Sequence, residues 1–179
     1  MELDNNRIVK DFAKKPLSFT LTCALEVPFG SGLGTSSTLA LAILGAYSEW
    51  LTLPLGEYDL AYLAYLIERV DLRQAVGKQD QSAAAFGGFN FMEFYADDKV
   101  IVNPLRIRNE VLNELSNNLL LYYTNSSRNS GDIIVKQQKN VHEKKEKSIE
   151  AMHRIKQQAY EIKEAILKNN LDEIGSILH

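Results

Sequence analysis

The spacing of apolar and polar residues predicts three helices in the first half of the chain. Over residues 37–50, and again over 58–70, apolar side chains recur at intervals of three and four, which is typical of a helix with one buried face. The stretch 79–86 is short and rich in alanine, and two glycines follow it directly. We therefore expect a third, shorter helix there.

The chain from Ile133 onward has the composition of charged helices. Residues 142–150 are dense in lysine and glutamate, which suits a solvated helix face with paired charges. Apolar residues spaced three and four positions apart predict a packing face on this helix. They are Ile149, Met152, Ile155, Ala159, Ile162, Ala165 and Ile166. Two asparagines at 169 and 170 predict a break, and residues 171–178 predict a further helix.

Strands are predicted where apolar or β-branched residues alternate with other residues, in the segments 17–25, 89–95, 100–105 and 119–123. The polar sequence at 97–99 is a turn that joins the second and third of these into a hairpin. Cys23 alternates with leucines in the first segment, so we expect it to be a small core residue.

Composition limits the class of protein. The chain has 179 residues, of which 45% are hydrophobic and 24% charged, as in an ordinary globular domain with a core. A formal net charge of −3 gives no electrostatic footprint for nucleic acid, and no apolar run reaches the length of a membrane span. The N-terminal sequence lacks a signal-peptide pattern, and the single cysteine excludes an internal disulfide. We expect a cytoplasmic protein with neither a nucleic-acid nor a membrane partner.

In the segment 27–37, three alternating glycines are followed by three hydroxyl side chains, directly before the first predicted helix. Glycine lets backbone N–H groups approach an anion closely, and a helix N-terminus adds unpaired donors and a positive dipole end. The segment therefore suits a phosphate cradle, although it suits an ordinary helix start as well. It lacks the lysine of a Walker loop and the glycine spacing of a dinucleotide fingerprint.

Two acidic residues further along are candidates for phosphoryl-transfer chemistry. Glu68 lies near the end of the second predicted helix, and Asp80 lies at the start of the third. One carboxylate on Mg²⁺ and another beside the acceptor hydroxyl would meet two needs of such a site. Taken alone, the two residues are better explained by a solvated helix-end charge and a helix N-cap.

Three pieces of the sequence resemble consecutive motifs of the GHMP kinase superfamily, the galactokinase, homoserine, mevalonate and phosphomevalonate kinases: 27–38, 67–71 and 77–81. Within the superfamily the chain is most similar to the heptose 7-phosphate kinases, at 83–94, 102–107 and 122–128. The resemblance extends roughly from Leu17 to the C-terminus. The resemblance favours a phosphate cradle over an ordinary helix start for the glycine segment. It also favours catalytic roles for the two carboxylates.

The resemblance implies an α+β fold, in which an N-terminal half of the ribosomal protein S5 domain 2 type is followed by the start of an α/β C-terminal half. We expect the ATP-loop domain at residues 1–105 and the start of the C-terminal domain at 106–179. The superfamily's opening motif and its closing glycine-rich loop are not found in this sequence. Both domains are therefore expected to be incomplete.

The resemblance also implies roles for individual residues. The ATP phosphates would be wrapped by Gly30, Ser31, Gly32, Leu33, Gly34, Thr35 and Ser36. Ser36 and Glu68 would hold Mg²⁺, and Asp80 would be the catalytic aspartate beside the acceptor hydroxyl. Lys78 and Arg128 are candidates for binding the sugar phosphate on the basis of charge alone.

The implied function is an ATP- and Mg²⁺-dependent kinase that phosphorylates D-glycero-D-manno-heptose 7-phosphate at its anomeric hydroxyl. Two alternatives stay open. One is a sugar 1-kinase like a fucokinase or galactokinase, and the other is an interaction module that binds nucleotide without catalysis. The expected partner is a small-molecule sugar phosphate, and homodimer formation is left open.

Overall fold

The computed structural model describes residues 18–28, 30–123 and 130–179. Within these residues the chain forms seven α-helices, one π-helical segment and two strands, which confirms a mixed α+β fold. Contacts divide the chain into two compact units, the first holding the described residues up to Gly87 and the second beginning at Gly88. Among the described helices, none combines the length and the apolar content that crossing a lipid bilayer requires.

The first unit contains the three helices predicted for this part of the sequence. They are α1 (Thr35–Leu51), α2 (Glu57–Leu66) and α3 (Gln79–Phe86), and α3 has its predicted bounds. The predicted second helix ends differently, because Ile67–Asp71 forms a wider π-helical turn. Apolar periodicity cannot distinguish such a turn from the end of an α-helix.

The core of the first unit lies where α1 packs on α2. Ala64 of α2 is fully buried, and its small side chain lets the two helices approach closely. The buried cluster consists of Ala40, Leu41, Leu44 and Ala64, with Leu60, Leu63, Ile67 and Ala85 packed against it. Because Ala85 belongs to α3, this core also fixes the position of the third helix.

The second unit begins with an antiparallel hairpin, as predicted, in which Met92 lies opposite Val102. Its elements are β1 (Asn90–Phe94), β2 (Val100–Pro104), α4 (Asn109–Asn118), α6 (Glu146–Leu167) and α7 (Leu171–Leu178). Helix α5 (Ser130–His142) is divided between the two units after Ile134.

The core of the second unit is formed by Leu115, Ala165, Ile166 and Ile174. The packing face predicted on α6 is therefore correct at its C-terminal end. Further toward the N-terminus of α6, Met152 is 51% exposed and Ile155 is 65% exposed, so this part of the predicted face is not buried.

Two strand predictions are wrong. Residues 18–25 and 119–123 have no regular secondary structure, and Cys23, predicted in the core, is exposed. Leu120 and Tyr122 are 93% and 87% exposed. A strand exists only when a neighbouring strand accepts its hydrogen bonds, and within the described residues β1 and β2 pair only with each other.

Candidate functional site

The glycine loop turns sharply before α1. Gly30, Gly32 and Gly34 have φ angles of 74°, 80° and 68°, in the left-handed region that side chains disfavour. Gly34 is the N-cap residue of α1, and its carbonyl accepts the N–H of Thr38 at 3.0 Å. Since the N-cap residue has no side chain, the N–H groups of the first turn are left for another acceptor. Such a helix N-terminus suits the binding of an anion.

Glu68 is fully buried within the first unit, with none of its surface exposed. Its Oε1 accepts the Ser36 hydroxyl at 2.6 Å, and its Oε2 accepts the Ser37 hydroxyl at 2.7 Å. Oε2 also accepts the Gln81 amide Nε2 at 2.5 Å. One carboxylate therefore connects α1, the π-helical turn and α3 through three hydrogen bonds.

The π-helical turn explains how Glu68 comes to be buried. The N–H of Leu72 reaches back five residues to the carbonyl of Ile67 at 2.8 Å. The N–H of Gln74 reaches the carbonyl of Glu68 at 2.9 Å. The wider turn shifts the direction in which its side chains point, and such turns are frequent at functional sites. The solvated position first expected for a lone helix-end glutamate is not observed.

Asp80 is exposed and lies in the first turn of α3. A β-carbon placed on Gly34 would lie 3.9 Å from both Cβ and Cγ of Asp80. The aspartate is therefore in contact range of the last glycine of the loop. The structure brings together the loop, Ser36, Glu68 and Asp80.

Of the two candidate cations, Lys78 and Arg128, only Lys78 belongs to the described residues. The Lys78 ammonium lies over two tyrosine rings of α2, 5.9 Å from the centroid of Tyr62 and 5.2 Å from that of Tyr65. Contacts of this kind attract a cation to the ring face. Arg128 lies outside the described residues.

Sequence reasoning assigned no role to Ser37 or Gln81, although both bond to Glu68. The residue pattern of α3 does indicate that Gln81 faces the interior. Gln81 and Ala85 are one helical turn apart, and Ala85 packs against the apolar core. A glutamine on the inner face of a helix needs a polar partner, and Glu68 is that partner.

The hydroxyl of Ser36 and the carboxylate of Glu68 fit a magnesium ion. Two ligands at right angles in a magnesium octahedron are about 3.0 Å apart, given bond lengths of about 2.1 Å. Ser36 Oγ and Glu68 Oε1 are 2.6 Å apart. Within the described part of the chain, no three His, Cys, Asp or Glu side chains form a metal cluster. Magnesium needs no such cluster, because it binds few protein ligands together with phosphate oxygens and water.

The chain is similar to known kinases in both sequence and structure. Residues 6–88 match the family of GHMP kinases N terminal domain. A D-glycero-alpha-D-manno-heptose 7-phosphate kinase of Campylobacter jejuni is 55% identical over 97% of this chain and 50% of its own length. A bifunctional fucokinase/GDP-fucose pyrophosphorylase of Arabidopsis thaliana is 27% identical over 86% of this chain and 15% of its own.

A crystal structure of a D-glycero-D-manno-heptose 1-phosphate kinase from Bacteroides thetaiotaomicron superposes with a TM-score of 0.82 at 44% identity. The match covers 99% of this chain and 54% of that one, so the chain spans about half the length of its heptose kinase relatives. The glycine loop, Glu68 and Asp80 all fall within the matched domain. The chain therefore contains a GHMP kinase N-terminal domain and is a relative of the heptose phosphate kinases.

Proposed function

We propose that this chain carries the nucleotide site of an ATP-dependent kinase that phosphorylates D-glycero-D-manno-heptose 7-phosphate at its anomeric hydroxyl. The observation that carries the proposal is the convergence of a glycine loop, a buried glutamate bonded to Ser36, and an exposed Asp80 beside Gly34. The similarity to a heptose 7-phosphate kinase supports the choice of acceptor.

The loop from Gly30 to Ser36 would hold the ATP phosphates. Its alternating left-handed glycines let the backbone come close to phosphate oxygens, and the first turn of α1 offers N–H donors. Thr35 and Ser36 add hydroxyl groups at the same point of the chain.

Ser36 and Glu68 would hold Mg²⁺. When bound, the ion neutralises charge on the phosphate oxygens during transfer. Glu68 suits this position because its three hydrogen-bonding partners are neutral, so that none of them offsets the attraction of the carboxylate for a cation.

Asp80 would orient the acceptor hydroxyl and take its proton on a carboxylate oxygen as the phosphoryl group is transferred. Its exposure at the edge of the loop leaves room for the acceptor. Lys78 and Arg128 would bind the phosphate already on the sugar. The domain limits proposed with this assignment are 1–105 for the ATP-loop domain and 106–179 for the start of the second.

A sugar 1-kinase is the second candidate, because a fucokinase also aligns over most of the chain. It would use the loop, Glu68 and Asp80 in the same roles and differ in the acceptor. The two candidates therefore differ only in the substrate that supports turnover.

The test is ADP release by the protein with ATP, Mg²⁺ and a panel of heptose 7-phosphate, fucose and galactose. With heptose 7-phosphate we expect turnover that falls by about 10²- to 10⁴-fold in Asp80→Asn, the range for loss of a general base. The matched control is Asp59→Asn, since Asp59 is an exposed acid in the first turn of α2 that bonds only the local Gly56 N–H among its described contacts.

Each other outcome would overturn part of the proposal. Turnover with fucose or galactose, and none with heptose 7-phosphate, favours the sugar 1-kinase. Binding of Mg·ATP without turnover on any acceptor contradicts the kinase assignment and favours a nucleotide-binding module. Equal losses in Asp80→Asn and Asp59→Asn would remove the catalytic role of Asp80.

A further inference from the structure

The two oxygens of the Glu68 carboxylate have different surroundings. Oε1 accepts one hydrogen bond, from Ser36, whereas Oε2 accepts two, from Ser37 and Gln81. The donors to Oε2 are themselves buried, with Ser37 3% and Gln81 1% exposed. Ser36 is only partly buried and lies at the loop. One side of the carboxylate is thus enclosed, and the other side is turned toward the phosphate loop.

The Gln81 amide is held in one orientation. Its Nε2 must face the carboxylate, because the opposite orientation would place the amide oxygen against Glu68 Oε2. In this orientation Gln81 Oε1 is buried and has no hydrogen-bond partner among the described residues. An unpartnered buried oxygen is unfavourable, so the bond to Glu68 is what keeps the amide in place.

We propose that Ser37 and Gln81 are positioning residues that clamp Oε2 of Glu68 and thereby aim Oε1 and the Ser36 hydroxyl at the cation. The inference rests on the proposed function, because it assigns the cation site to Ser36 and Glu68. Neither Ser37 nor Gln81 touches the cation or the phosphates in this proposal. Their effect is on how well the glutamate is held.

The clamp can be tested with two buried serines in the same unit. Ser37 and Ser82 are both 3% exposed, and each donates one hydrogen bond, Ser37 to Glu68 and Ser82 to the Lys78 carbonyl at 2.8 Å. Ser37→Ala and Ser82→Ala therefore remove the same atoms from equally buried places. Only the first removes a donor from the carboxylate.

The measurement is binding of a fluorescent ATP analogue titrated with Mg²⁺, followed by the KM for Mg²⁺ and kcat. In Ser37→Ala we expect the half-saturating Mg²⁺ concentration to rise by about 10- to 100-fold, the usual effect of losing a group that orients a metal ligand. Ser82→Ala should leave it unchanged. Binding of the analogue without Mg²⁺ should be the same in all variants, since the phosphate loop is intact.

Gln81→Met and Ser37→Thr complete the test. Gln81→Met keeps the side-chain length without the amide donor and should raise the Mg²⁺ requirement as Ser37→Ala does. Ser37→Thr keeps the hydroxyl and should restore the wild-type Mg²⁺ requirement. Thermal melting establishes that each variant is folded.

The result that overturns the clamp is an unchanged Mg²⁺ requirement in both Ser37→Ala and Gln81→Met, or an equal rise in Ser82→Ala. That failure differs from failure of the proposed function, which is seen when the wild-type protein itself shows no Mg²⁺-dependent binding of the analogue.

Discussion

Two glutamates, one in each unit of the chain, hold their carboxylates in opposite surroundings. Glu68 is fully buried and bonded to three neutral donors. Glu164 on α6 forms a one-turn ion pair with Lys168 at 3.0 Å, with the two side chains 55% and 71% exposed. A charge in water needs little from the protein, whereas a buried carboxylate depends on every donor around it. We therefore expect the buried Glu68 to contribute more to stability than the exposed Glu164.

The largest effect is expected from Glu68→Ala. Removal of the carboxylate leaves the buried donors of Ser37 and Gln81 without their acceptor, at a cost of about 1–3 kcal/mol each in the free energy of unfolding. Urea denaturation measures the change. Glu57→Ala, at an exposed glutamate of α2, is the control. Equal midpoints for the two variants would show that Glu68 is not a structural centre.

A smaller effect of opposite sign is expected from Tyr47→Phe. The Tyr47 hydroxyl is buried and has no partner among the described residues, so its removal relieves an unpaired polar group. The ring contacts with Phe19, at 5.6 Å between centroids, and with Trp50, at 6.3 Å, are available to phenylalanine. We expect unchanged stability or a gain of up to about 2 kcal/mol in urea denaturation. A clear loss of stability would reveal a partner for the hydroxyl.

Tyr47→Phe should also change how the stability of the protein depends on pH in alkaline solution. Burial raises the pKa of Tyr47 above its ordinary 10.0, so the unfolded chain loses this proton before the folded chain does. Wild-type stability therefore falls as the pH rises above 10.0, because the folded state holds more protons there. The difference in melting temperature between Tyr47→Phe and wild type should widen over that range. A constant difference would contradict the assignment.

The smallest effect is expected from Glu164→Gln. The hydrogen bond and charge of Lys168 lower the pKa of Glu164 below its ordinary 4.5, so its contribution is present above that pH and is lost as the pH falls further. Since both groups are exposed, that contribution is screened by water and salt. The melting temperatures of Glu164→Gln and wild type should coincide at pH 7. A separation comparable to that of Glu68→Ala would invert the comparison between the two glutamates.

Much of the first unit could be predicted because its signals are local. Apolar spacing located α1 and α2, and alanine content with two following glycines set the bounds of α3. The sequence also located the alternating glycines at 30, 32 and 34 directly before α1, where the structure has left-handed backbone angles. The sites of Glu68 and Asp80 came from family motifs and not from the pattern of their neighbours.

What could not be predicted depends on partners distant in the sequence. The position of Gln81 in α3 indicates that it needs a polar partner, but Ser37 and Gln81 meet Glu68 across 31 and 13 residues, so no local pattern identifies Glu68 as that partner. The π-helical turn that buries Glu68 leaves the apolar spacing almost unchanged. The segments 18–25 and 119–123 have the composition of strands, but composition does not supply the neighbour that a strand requires.

The exposed segment from Leu119 to Tyr123 has a consequence for handling the protein. It contains five consecutive large apolar or aromatic residues without charge, proline or glycine. An extended segment of this composition is a template for pairing between molecules, and it promotes aggregation as the protein is concentrated. A lysine in place of Leu121, which is 83% exposed, would interrupt such pairing without disturbing a buried contact.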